Sequence, residues 1–164
     1  ETVEFEPGRK LAREQVQAFL GADARAGAAG TRGALTVRVI SFMPQTDYDR
    51  LLWACDVNFV RGEDSWVRAQ WAAHPFVWHI YPQDENLHHV KLRAFLQKYA
   101  ENTQSLVDFS LRWNGAREGH MDELWTSLQA ELPTMTRRAH EWEAQMLVNG
   151  DLVSNLLNFA RSVR

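Results

Sequence analysis

The chain has 164 residues, of which 45% are hydrophobic and 24% are charged, and its formal net charge is −3. This composition is ordinary for a globular domain and excludes a disordered or low-complexity chain. It also excludes a nucleic-acid-binding protein that works by electrostatic attraction, because such a protein would carry a clear excess of basic residues.

The location expected from the sequence is the cytoplasm, without membrane association. Cys55 is the only cysteine, so no disulfide can form within the chain, and a reducing compartment is the simpler interpretation. No apolar run approaches the roughly 18–20 residues of a membrane-spanning helix, and no signal-peptide pattern opens the chain. The chain begins at Glu1 rather than at a methionine, so we expect it to be an excerpt of a longer protein.

Short strands alternate with helices over the first hundred residues. Alternating apolar and β-branched residues predict strands at 2–6, 35–40, 57–60 and 76–80. Apolar residues spaced three and four apart predict helices at 11–20, 47–55, 63–74 and 90–99. An alternation that repeats about every 20 residues is typical of a parallel sheet covered by helices.

A glycine-rich stretch at residues 21–33 interrupts this pattern. Gly27, Gly30 and Gly33 are spaced by three. The stretch follows a helix and precedes a strand, however, whereas a phosphate-binding loop follows a strand and opens a helix. We therefore predict a flexible connection here.

From Ser105 onward only helical patterns remain. Helices are predicted at 106–113, 121–132, 135–147 and 152–163, the last of them capped by Asp151. The sequence thus predicts an α/β fold in which residues 1–164 form one unit, with a β/α part at 1–104 and a helical tail at 105–164.

The carboxyl ends of the predicted strands are the candidate binding site, because ligands of open parallel sheets bind there. Segments 42–45, 61–65 and 81–83 follow three of the strands and should converge. In the middle segment Gly62 frees the backbone and a helix begins at once, so its unpaired amides and positive dipole end would face the crevice. Arg61 adds a forked, permanently charged donor that suits phosphate. The pattern outlines a phosphate site.

A solvated turn is the alternative interpretation of the same segment. In that case Asp64 would be the N-cap of the helix and Arg61 would pair with Glu63. Spacing alone favours this interpretation slightly over a phosphate site.

The sequence gives little support for a metal site or for a serine nucleophile. The six histidines form no metal-ligand pattern, so no metal site is expected, and His88 and His89 are expected on a helix surface. No serine nucleophile motif is present. The sequence does not decide whether three aromatic side chains of the candidate site pack in the core or at its rim, or stack on a base. They are Phe42, Tyr48 and Tyr81.

Five segments resemble a known family of bacterial enzymes. They are 42–45 (FMPQ), 48–56 (YDRLLWACD), 58–65 (NFVRGEDS), 67–71 (VRAQW) and 76–83 (FVWHIYPQ). Together they make the chain similar to the bacterial protein-arginine rhamnosyltransferases that modify translation elongation factor P. The dense part of the resemblance covers about residues 38–99, and a looser pattern extends to both ends.

The resemblance implies a two-lobed, metal-independent glycosyltransferase of the GT-B architecture. In such an enzyme the carboxyl-terminal lobe is Rossmann-like, with helices on both faces of a parallel sheet, and binds dTDP-β-L-rhamnose. The amino-terminal lobe holds the acceptor protein, elongation factor P, and the main catalytic base. This chain resembles the carboxyl-terminal lobe, so we expect the acceptor lobe to lie outside it and the chain alone to be inactive. No cofactor is implied beyond the donor substrate.

The resemblance also implies roles for individual residues. Glu63 would face the sugar and the incoming guanidinium, where a carboxylate can localise charge and help to remove a proton from a poor nucleophile. Asp64 would be electrostatically strained beside a diphosphate unless it caps the helix or binds a hydroxyl. The seven donor-binding positions are Phe42, Gln45 and Tyr48 beside the thymine and deoxyribose, Arg61, Asp64 and Ser65 at the diphosphate, and Tyr81 closing the pocket.

Two other functions remain open. The chain could be the donor lobe of another nucleotide-sugar transferase, which a preference for uridine over thymidine nucleotides would reveal. It could also be a non-catalytic interaction module that uses its helical tail as a contact surface. Indifference of nucleotide binding to Arg61→Ala would favour that third function.

Overall fold

The computed structural model describes residues 7–21 and 24–163. The chain divides into two compact units, Glu1–Pro44 and Gln45–Arg164. The strand predicted at residues 2–6 lies outside the described residues.

The first unit contains a helix and a β-hairpin. Helix α1 spans Pro7–Leu20, and strands β1 (Ala29–Arg32) and β2 (Leu35–Arg38) pair antiparallel. A two-residue turn joins the strands, and Gly33 opens it with a φ of +59°, which a residue with a side chain rarely adopts. The hydroxyls of Thr31 and Thr36 lie 3.0 Å apart across the two strands.

This hairpin corrects two predictions. The glycine-rich stretch predicted as a flexible connection supplies strand β1. The strand predicted at 35–40 forms at Leu35–Arg38, but its described partner is the antiparallel strand β1 rather than a strand of the parallel sheet. The three glycines lower the strand propensity of the stretch, so the sequence pattern does not indicate a strand. The tight turn at Gly33 nevertheless brings the flanking residues together as a hairpin.

The second unit opens with an α/β segment. Its elements are α2 (Gln45–Ala54), β3 (Asn58–Arg61), α3 (Glu63–Trp71), β4 (Phe76–His79), a 3₁₀ turn (Asp84–Asn86) and α4 (Leu87–Tyr99). Strands β3 and β4 are parallel, with Asn58 opposite Phe76 and Arg61 opposite His79. Their carboxyl ends therefore lie at the same edge. The predicted mixed α/β class with a parallel sheet is confirmed.

Four helices complete the second unit. They are α5 (Gln104–Trp113), α6 (Met121–Ala130), α7 (Leu132–Val148) and α8 (Leu152–Ser162). Asp151 caps α8 as predicted, since its carboxylate accepts a hydrogen bond from the Ser154 amide at 2.8 Å. Among the described residues, no helix combines the length and the apolar character needed to cross a membrane.

Helices cover both faces of the parallel pair, because successive residues of a strand point to opposite faces. On one face Trp78 of β4 stacks on Trp66 of α3 at 4.8 Å and meets Phe95 of α4 edge-on at 5.9 Å. On the other face Phe59 of β3 meets Phe109 of α5 at 5.9 Å. These aromatic layers hold the ends of β3 and β4 in place.

Candidate functional site

Two of the three segments predicted to converge meet at the carboxyl edge of the parallel pair. Arg61 is the last residue of β3, and Tyr81 follows β4 by two residues. The centre of the Tyr81 ring lies 5.0 Å from the guanidinium carbon of Arg61, within the range of a cation–π contact. This edge therefore combines a fixed positive charge with an aromatic surface.

Gly62 joins β3 to α3 and has a backbone that only glycine adopts readily, with φ 78° and ψ 179°. A Cβ atom at this position would lie 2.8 Å from Cε2 of Tyr81, so the tyrosine ring packs directly against the bare backbone. The Gly62 carbonyl accepts a hydrogen bond from the Trp78 indole at 3.1 Å. The core of the domain thus fixes the peptide at the start of α3.

The start of α3 carries no side-chain cap. Its N-cap residue is Gly62, and no side chain among the described residues accepts a hydrogen bond from the first amides of the helix. The alternative with Asp64 as N-cap is therefore wrong, because Asp64 lies inside the first turn. The first amides of a helix have no intrahelical acceptor and lie at the positive end of the dipole, which suits an anion.

Three polar side chains surround this helix start. Glu63 and Asp64 are exposed, and Ser65 is half-buried. The exposed carboxylates can turn towards solvent or towards a hydroxyl, so they need not oppose an anion at the amides. Their roles stay predictions from the resemblance.

The charge balance of the edge depends on Arg61 and its neighbour His79. Burial, and secondly the Arg61 guanidinium, lower the pKa of His79 below its usual value of 6.5. His79 is therefore neutral at pH 7, and Arg61 supplies the positive charge.

The start of α2 holds Gln45 and Tyr48, the two residues expected beside the base. Tyr48 is half-buried and packs against the hydrophobic core. Gln45 is exposed, and its Oε1 accepts a hydrogen bond from Nη2 of Arg68 on α3 at 2.8 Å. Phe42 belongs to the first unit, where its side chain is fully exposed.

Several positioning residues were not anticipated by the sequence analysis. Asn114, after α5, donates through Nδ2 to the Trp78 carbonyl at 2.8 Å and accepts from the Ile80 amide at 3.0 Å. His88 is buried and accepts a hydrogen bond from the Gln83 amide at 3.1 Å, so its expected place on a helix surface is wrong. These contacts fix the turn that carries Tyr81. Asn114 is more than 30 residues away in sequence, and no local pattern reveals such a partner.

A cavity of about 490 Å³ lies away from this edge, beside the residues that precede β3. It is lined by Ala54, Cys55, Asp56, Val57, Trp125, Leu128, Gln129 and Leu132. None of the predicted site residues lines it. In the described part of the chain, no group of three or more His, Cys, Asp or Glu side chains could hold a metal ion.

Comparison with known proteins gives consistent matches. The family model described as "Elongation-Factor P (EF-P) rhamnosyltransferase EarP" matches residues 7–161. A protein-arginine rhamnosyltransferase of Pseudomonas aeruginosa is 47% identical over 133 residues, which are 78% of this chain and 35% of that protein. One of Neisseria meningitidis serogroup B is 61% identical over 111 residues, which are 63% of this chain and 29% of that protein.

A solved structure is similar as well. That structure shows the structural basis for EarP-mediated arginine glycosylation of translation elongation factor EF-P. The TM-score is 0.71 at 37% identity, over 92% of this chain and 48% of the solved one. The chain therefore spans about a third of the length of the curated relatives and about half of the solved chain. Since the family model matches nearly the whole sequence, the chain belongs to the EarP family of elongation factor P rhamnosyltransferases.

Proposed function

We propose that this chain binds the donor nucleotide of an enzyme that transfers rhamnose from dTDP-β-L-rhamnose to an arginine of elongation factor P. The observation that carries the proposal is the uncapped start of α3 at Gly62, next to Arg61 at the carboxyl edge of two parallel strands. Family membership supports the sugar and the arginine, and the solved relative supports elongation factor P as acceptor. Because that acceptor is a translation factor, we place the reaction in the cytoplasm.

The donor would lie along the carboxyl edge, as in the carboxyl-terminal lobe of a GT-B enzyme. Its diphosphate would accept hydrogen bonds from the first amides of α3, the Arg61 guanidinium and the Ser65 hydroxyl. Asp64 would bind a hydroxyl, since it does not cap the helix and would repel a phosphate. Tyr81 would close the pocket from its fixed place against Gly62. The start of α2, with Gln45 and Tyr48, would meet the thymine and deoxyribose.

The reaction would be a displacement with inversion at the anomeric carbon. An arginine nitrogen forms the new bond to that carbon, the bond to the diphosphate oxygen breaks, and dTDP leaves with the electron pair. The amides of α3 and the Arg61 guanidinium would stabilise the negative charge on the leaving group without a metal. The exposed carboxylate of Glu63 would localise the guanidinium charge. The proton that the attacking nitrogen loses would pass to the main base, which would lie outside this chain, so we expect the chain alone to be inactive.

Calorimetric titration with dTDP, with UDP as the competing nucleotide, tests the proposal. We expect selective binding of dTDP, weakened about tenfold or more by Arg61→Ala, because a charged hydrogen bond to the diphosphate is lost. Arg137→Ala is the matched control. Arg137 is an exposed arginine of α7 that pairs, within the described part of the chain, with Glu141, so its loss should leave dTDP affinity unchanged.

Three outcomes would contradict the proposal. Equal or tighter binding of UDP would indicate a transferase that uses another nucleotide sugar. Binding of dTDP that is indifferent to Arg61→Ala would place the nucleotide elsewhere. A folded chain that binds neither nucleotide would not be a donor-binding unit, and an interaction module would then be favoured.

A further inference from the structure

A hydrogen-bonded network ties the start of α2 to α3. Nη1 of Arg68 donates to both carboxylate oxygens of Asp49, at 2.7 and 2.8 Å. Nη2 of the same guanidinium donates to Oε1 of Gln45 at 2.8 Å. The side chains of Arg68 and Asp49 are each only 30% exposed. A charge-assisted network of this kind, partly shielded from water, is stronger than an exposed ion pair.

The network determines which way the Gln45 amide faces. Arginine has five hydrogen-bond donors and no acceptor, so Gln45 must turn its carbonyl oxygen towards Arg68. The NH2 group of Gln45 then points away from the guanidinium. Among the described residues none accepts a hydrogen bond from this NH2 group, and Gln45 is exposed at the start of α2. Two amide donors are thereby presented in a fixed orientation.

We infer that Arg68 is a positioning residue that fixes Gln45 so that its NH2 group donates to a carbonyl oxygen of the pyrimidine base. This inference rests on the proposed function, which brings a thymidine nucleotide to the start of α2. Both carboxylate oxygens of Asp49 accept hydrogen bonds from Nη1 of Arg68, so Nη2 of Arg68 can donate to Gln45. Thymine carries two carbonyl oxygens, and an oriented donor is the group that recognises them.

A double-mutant cycle on dTDP binding tests this inference. Arg68→Met keeps the apolar stem but removes every donor, and Gln45→Met removes the amide. Each substitution should weaken dTDP binding about five- to tenfold, as expected for the loss of one ordered hydrogen bond. If Arg68 acts through Gln45, the double variant should bind dTDP no more weakly than Gln45→Met alone. A purely structural role for Arg68 would make the two losses add.

Two further variants keep the test decisive. Gln45→Glu retains an acceptor for Arg68 but has no donor for the base, so it should bind dTDP as weakly as Gln45→Met while unfolding at the temperature of the unmodified chain or above. Arg50→Met is the matched control, because Arg50 lies on α2 and its ion-pair partner among the described residues is the exposed Asp47. It should leave dTDP affinity unchanged.

The outcomes separate this inference from the proposed function. Additive losses, or dTDP binding by Gln45→Glu as tight as that of the unmodified chain, would overturn the inference and leave donor binding intact. Absence of dTDP binding by the unmodified, folded chain would overturn both.

Discussion

Gly62 shows at the scale of a single residue why this end of the sheet can receive a ligand. Its positive φ turns the chain from β3 into α3, and its missing side chain admits the Tyr81 ring. The absence of a side chain also leaves the first amides of α3 without a cap. One glycine therefore sets the backbone path at the proposed diphosphate site and allows Tyr81 to pack beside it.

Replacement of this glycine should damage both stability and binding. Gly62→Ala places a Cβ against Cε2 of Tyr81 in a backbone region that alanine avoids, which costs about 1–3 kcal/mol for the backbone alone. We expect a lower thermal unfolding temperature and a loss of dTDP affinity in calorimetry, because Tyr81 must move.

Gly115→Ala is the matched control for this prediction. Gly115 also has a positive φ, of 71°, but no described atom beyond its two chain neighbours lies within 4 Å of the position of its Cβ. It should lose about 1–2 kcal/mol of stability and keep the nucleotide affinity of the unmodified chain. Equal nucleotide affinities for the two alanine variants would contradict the role given to Gly62.

Some of these residues can be predicted from the sequence, and others cannot. The order of strand, glycine and helix predicts Gly62 and Arg61, because the chemistry lies in adjacent residues. It does not predict Arg68, whose partner Asp49 is 19 residues away. A lone arginine on a helix normally indicates a solvated face, and only the folded structure reveals its hydrogen bonds to α2.

The turn after β4 is the element on which the candidate site depends most. Asn114 bridges the Trp78 carbonyl and the Ile80 amide, and so joins the end of α5 to the end of β4. Tyr81 follows immediately. Through Asn114, the helical tail therefore positions part of the candidate site, in addition to packing in the core.

Removal of this bridge should loosen the whole turn. Asn114→Ala leaves a partly buried amide and a partly buried carbonyl without their partner, so we expect a loss of about 2–3 kcal/mol in the free energy of unfolding and weaker dTDP binding. Asn155→Ala is the control, because the side chain of Asn155, on α8, donates an exposed hydrogen bond to the Asn149 carbonyl. Chemical denaturation compares them, and equal stabilities would contradict the bridge.

Elements were predicted well wherever the apolar period was regular. Residues 58–61 and 76–79 form parallel strands as expected, and helices follow from Gln104 to Ser162. The hairpin at 29–38 escaped prediction because its turn depends on one glycine among several. The pairing partner of a strand is decided by turn geometry, which apolar periodicity does not encode.

At the scale of the whole molecule, the described part of the second unit has a surface edge and a cavity that a small ligand could occupy. One is the carboxyl edge at Arg61, Gly62 and Tyr81, which lies on the surface and offers charge and amides. The other is the cavity of about 490 Å³ lined by Cys55 and Trp125, which is not lined by Arg61 or the start of α3. The cavity offers volume, whereas the edge offers the positive charge and the free amides that a diphosphate binds.

Chemical-shift mapping of dTDP on the isotope-labelled chain compares these two places directly. We expect the largest backbone shifts on the amides of Glu63, Asp64 and Ser65. Shifts concentrated instead at the cavity, around Cys55 and Trp125, would contradict the proposal that the uncapped start of α3 binds the donor nucleotide.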